Sequence, residues 1–208
     1  MSNIYFIGYG PEMLKCNNKE EYQLLYNNIK IIIENLIHKG FTEFISDGRA
    51  GFSQMCFWAV ESLKKSYPNI ENYLYTTDKD KTYTLPETGL FSYNNYQKMQ
   101  DKADTIIYNE ENHTPNMNLE WTYDILKYVD GICVLCNNSK WNNVNECKET
   151  EKDLCSEIKL AASMQKYIYQ ITENDIGLEL HNVRYRVNGQ SVENNSRKIN
   201  RIKNELEL

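Results

Sequence analysis

FTEFISDGRAGFSQMCFWAVESLKKSYP, residues 41–68, contains the change of period on which the fold turns. Phe41 to Ser46 is an apolar run with the length of a buried strand. Phe52 to Lys65 reads as a helix, stopped at Tyr67-Pro68 because a residue before proline is pushed out of the helical region. Between them, Asp47, Gly48, Arg49, Ala50 and Gly51 turn strand directly into helix. That is the opening of a strand–helix–strand unit, the building block of a parallel sheet.

The same unit recurs on both sides. Upstream, IYFIGYG (4–10) is a strand closed by glycines. From Glu20 to Lys39, Leu25, Ile29, Ile32 and Leu36 recur at helical spacing, with Gly40 as C-cap. Downstream, strands are expected at 70–77, 104–109, 131–136 and 167–171, and helices at 93–102, 117–128 and 147–165. Residues 78–91 and 137–146 read as polar loops. This alternation predicts an α/β fold over residues 1–172, a Rossmann-like parallel sheet with helices on both faces. Residues 173–208 read as a charged extension ending in a helix, with Ile199, Ile202 and Leu206 at helical spacing. That helix has three open roles: packing on the domain, homo-oligomer contact through residues 190–208, or fraying.

Bulk properties narrow the partners. At 208 residues and 41% hydrophobic, the chain can bury a real core. Its net charge of −6 disfavours duplex nucleic acid, whose binders carry a basic face. No apolar run approaches the ~20 residues of a membrane span, and the N-terminus lacks a signal-peptide pattern. A cytoplasmic protein with its six cysteines reduced is the expectation. Cys133 and Cys136 form a C-x-x-C inside the apolar run GICVLC, where residues three apart point to opposite faces, so they read as structural and no metal site is expected. His38, His113 and His181 are isolated in sequence.

In open parallel sheets, ligands bind beyond the carboxyl ends of the strands. Gly8, Tyr9 and Gly10 follow the first strand, where two glycines permit either close ligand approach or a tight strand exit. Asp47, Gly48, Arg49, Gly51 and Ser53 follow the second. There a helix start offers N–H groups and a positive dipole end to an anion, with Arg49 and Ser53 as further partners. The bland alternative is a glycine-rich turn with a Ser cap. Trp141, in the 137–146 loop, is either a stacking face for a base or part of a surface loop.

These residues carry a resemblance. GYGPEML (8–14) resembles the T-G-[HY]-[RK]-P-x-x-L opening of the DUF1273/YpsA-like proteins, and SDGRAGFSQ (46–54) their S-G-G-A-x-G-x-D loop. That group belongs to the SLOG superfamily, with the LOG enzymes and the DNA-processing protein DprA. Ser66-Tyr67-Pro68, Lys127 to Gly131 and Ala161-Ala162 extend the similarity over roughly residues 4–171. It implies a Rossmann-like fold that binds a nucleotide or nucleotide-derived ligand.

The departures matter as much. The family's first-loop basic residue is Gly10 here, a loop-two glycine is Asp47, and the closing acid is Ser53. Its helical Glu falls at Trp58 and its Arg-Asn pair at Trp121-Thr122, while Lys152-Asp153-Leu154 stands where it has a phosphate turn. N-glycosidic cleavage, as in LOG enzymes, needs carboxylates for charge stabilisation and proton transfer. The expectation is therefore binding without catalysis: sensing or sequestering a nucleotide or ADP-ribose-like signal, in phage–host immunity, with no cofactor required. Two alternatives stay open: an interaction protein acting through oligomerisation, and a hydrolase using Asp47, Ser53 and Asp130.

Overall fold

The computed structural model describes residues 2–14, 19–76, 85, 89–108, 117–137, 148–172, 184–187 and 190–193. β1 (Ser2–Gly8) leads through a 3-10 turn at Pro11–Met13 to α1 (Lys19–His38), and β2 (Phe41–Ser46) leads to α2 (Phe52–Leu63). β3 (Glu71–Thr76) is followed by α3 (Tyr93–Lys102), and β4 (Thr105–Tyr108) by α4 (Met117–Leu126). β5 (Gly131–Leu135) precedes a 3-10 turn at Glu149–Glu151, then α5 (Lys152–Ser163) and β6 (Tyr167–Ile171). These six strands pair in parallel in the order β4-β3-β2-β1-β5-β6, the expected Rossmann-like sheet.

The order decides where a ligand can enter. β1 to β4 build outward one way; the chain then returns to place β5 on the other side of β1. Right-handed crossovers put α1, α2 and α3 on one face, and α4 and α5 on the other. The packing agrees, for α1 meets α2, α2 meets α3, and α4 meets α5. The point of reversal lies between β1 and β5, where the loops diverge.

Side-chain alternation fills both faces. Phe6 of β1 stacks on Phe44 of β2 at 5.9 Å and meets Phe52 of α2 edge-on at 6.4 Å. Tyr75 of β3 lies against Trp121 of α4, ring centroids 6.1 Å apart, on the opposite face. Every residue of β5 is buried, as a central strand covered on both faces requires. Cys133 and Cys136 are buried and not disulfide-bonded. Cys155 on α5 is disulfide-bonded, which corrects the expectation of six reduced cysteines.

Other differences have local causes. β1 ends at Gly8, so Tyr9 and Gly10 belong to the loop. α5 begins at Lys152 and not at Cys147, because the preceding turn is 3-10. The extension holds an antiparallel pair, β7 (Arg184–Val187) and β8 (Gln190–Glu193), with β7 beside β6 through Gln170↔Arg186. The Asn188-Gly189 dipeptide between them is a strong hairpin signal that the helical reading passed over. Residues 190–193, assigned to an oligomer contact, are therefore strand; the helix expected around Ile199, Ile202 and Leu206 lies outside the described residues. So do Trp141, His113 and His181.

Candidate functional site

The β1 and β2 exits lie against each other at the carboxyl end of the sheet. Phe52 N donates to Tyr9 O at 3.0 Å. Gly51 has φ +99°, and a Cβ there would stand 2.3 Å from Tyr9 O. Only glycine fits that crossing. Gly48, at φ +70°, would put a Cβ 2.5 Å from the Tyr96 ring, and a Cβ at Gly8 would come equally close to the Phe52 ring. The three atoms nearest a Cβ on Gly10 all belong to the Glu12 carboxylate. Gly8, Gly48 and Gly51 thus serve close packing of the loops.

Asp47 is the hub. It is 1% exposed, and its carboxylate accepts four hydrogen bonds. Oδ1 takes Arg49 N at 2.9 Å and the Ser53 hydroxyl at 2.7 Å. Oδ2 takes the Tyr5 hydroxyl at 2.5 Å and Arg49 Nε at 2.6 Å. Ser53 Oγ in turn accepts Asp47 N at 3.2 Å. Gly51 is the N-cap of α2, so Ser53 is the second residue of the helix and braces the loop instead of capping it.

Arg49 carries the network across the sheet. Its NH1 group meets Glu157 Oε1 of α5 at 2.9 Å, and NH2 donates to the Tyr5 hydroxyl at 3.0 Å. Thr122 of α4 donates to the same Glu157 oxygen at 2.7 Å. Burial opposes the Arg49 charge, but Asp47 and Glu157 outweigh it and raise its pKa above the ordinary value. Burial lifts the Glu157 carboxyl, and Arg49 and Thr122 offset that only in part. Burial also raises Tyr5, keeping its hydroxyl a donor. Two carboxylates face one guanidinium, whose side chain remains 30% exposed. Three of its five N–H groups are committed; the others are the polar contribution it can make to a ligand.

A second linkage spans the point of reversal. Tyr9 is buried, and its hydroxyl donates to Glu151 Oε1 and accepts from Asn137 N, both at 2.6 Å. Asn137 follows β5, and Glu151 is the N-cap of α5.

The sequence placed Asp47, Arg49 and Ser53 together, and they touch. It missed Tyr5, Thr122, Glu151 and Glu157. One signal was available: Glu157 falls within the inward stripe of Leu154, Cys155, Ile158 and Ala161, where a carboxylate must be paired. The Asp47, Ser53 and Asp130 set does not converge. Asp130 accepts from Ser2 Oγ at 3.1 Å and Asn3 N at 3.0 Å, at the amino ends of β1 and β5. Glu61 pairs with Lys64, which also meets Asp104. Among the described residues, no cluster of three or more His, Cys, Asp or Glu could hold a metal, and no helix is long and apolar enough to cross a membrane.

No curated protein matches the chain. One similar solved structure is the structural-genomics target TM1055, at 12% identity and TM-score 0.45, covering 81% of this chain and 72% of that one. Another is DNA processing protein A from Helicobacter pylori, described by its single-stranded DNA binding mode. It shows 12% identity and TM-score 0.44 over 81% of this chain and 64% of that one. The YpsA family model, described as the YspA SLOG family, matches residues 4–175, and the chain belongs to that SLOG family.

Proposed function

We propose that the chain binds a nucleotide or nucleotide-derived ligand beyond the carboxyl ends of β1, β2 and β5, without turning it over. One observation carries this reading: Arg49 is held from three sides by Asp47, Tyr5 and Glu157, yet keeps an exposed face. A guanidinium fixed in this way is preorganised; it loses little entropy when a ligand arrives. Asp47 is a poor general base, since both its oxygens are already committed.

The charge balance indicates how the ligand is held. Two carboxylates outnumber one guanidinium, which weakens the pull on a phosphate and favours hydroxyl and base contacts. The Arg49 plane can also stack on a base. Sensing or sequestering a nucleotide signal such as an ADP-ribose derivative, in phage–host immunity, is the role that fits the family membership. A thermal-shift series with adenosine, AMP and ADP-ribose tests binding, because a ligand selective for the folded state raises its stability. At least one should stabilise the protein; a flat series would reject the reading.

Glu157 favours a second reading, N-glycoside hydrolysis. A buried carboxyl with a raised pKa can protonate a leaving group. Incubation with nucleoside monophosphates and NAD, followed by chromatography, should release base if this is correct; no release rejects it.

A further inference from the structure

The crevice between β1 and β5 is where an open parallel sheet presents its ligand contacts. Here two polar groups border it: the main-chain N–H of Asn137 as β5 ends, and the Glu151 carboxylate at the start of α5. One group satisfies both. The Tyr9 hydroxyl accepts from Asn137 N and donates to Glu151 Oε1, each at 2.6 Å. Glu151 is only 5% exposed, so its carboxylate needs a donor wherever Tyr9 goes.

We propose that the Tyr9 hydroxyl is an internal placeholder for a ligand hydroxyl, and that a ribose-type hydroxyl displaces it between Asn137 N and Glu151. This deepens the binding reading above and rests on it. The chemistry matches: a sugar hydroxyl accepts from an amide and donates to a carboxylate, as the phenol does. The backbone also suits a side-chain exchange. Tyr9 O is held by Phe52 N at 3.0 Å and by the close crossing of Gly51, so the main chain stays while the ring rotates. Among the described residues, exposed Asn137 and half-buried Gly10 border the buried Tyr9. Glu151 accepts no amide of its own helix, leaving its carboxylate directed at the hydroxyl.

Tyr9→Phe keeps the ring and removes the competitor. Isothermal titration should give adenosine an affinity about tenfold or more higher for this variant than for the native chain, the scale of one charge-assisted hydrogen bond no longer displaced. 2′,3′-Dideoxyadenosine should bind both proteins alike. If the native chain binds adenosine and Tyr9→Phe binds it no better, the placeholder is wrong and the binding reading stands. If neither protein binds any nucleoside or nucleotide, both fall. Should Tyr9→Phe not fold, 3-fluorotyrosine placed at position 9 of the full chain gives the same answer. Adenosine should move its fluorine resonance toward the solvent-exposed value; binding without that shift overturns the proposal.

Discussion

Arg49 and its acids show how little a single residue's identity says before its partners are known. Truncating Arg49 to alanine would leave Asp47 and Glu157 buried without a counter-charge, and should cost about 3–5 kcal/mol in chemical denaturation. Gly51→Ala forces a side chain into φ +99° and onto Tyr9 O, and should lower stability by about 3 kcal/mol. Glu157 sets a pH dependence. Its folded-state pKa is raised, so the folded chain binds the proton more tightly than the unfolded one, and stability falls as pH climbs from the ordinary carboxylate range toward the raised value. Glu157→Gln should flatten that fall in urea midpoints measured against pH. Asp47, Gly48, Arg49, Gly51 and Ser53 were legible because one turn holds them. Tyr5 and Glu157 were not, since the bonds tying them to this turn span 42 to 108 residues of sequence.

At the scale of elements, the sequence located strands and helices well wherever period and punctuation agreed. β2, α3 and β6 run over the residues the pattern indicates. The start of α5 was misplaced because Cys147 to Glu151 offers no strong start signal, and a 3-10 turn occupies Glu149–Glu151. The tail's apolar spacing points to a helix at its end and is silent on the strands that RYRV and QSVE form on either side of Asn188-Gly189. α3 offers a local test. Ser92 caps it by accepting Asn95 N at 3.4 Å, so Ser92→Ala should cost about 1 kcal/mol, read as a lower thermal midpoint.

Across the whole molecule, topology converts local turns into a site. Because β5 returns to the far side of β1, the β1 and β2 exits meet residues of α4 and α5 that lie far away in sequence. Buried Glu151 and Glu157 stand on either side of Lys152-Asp153-Leu154 and bond into the β1 and β2 exits. The central claim is that this junction holds a nucleotide-type ligand against the exposed face of Arg49. Arg49→Lys tests it most directly, since lysine keeps the charge that Asp47 and Glu157 require but lacks the planar fork. Isothermal titration of adenosine, AMP and ADP-ribose should show binding to the native chain and about tenfold weaker binding to a folded Arg49→Lys variant. Equal affinity for the two proteins, or no binding to the native chain, would contradict the account.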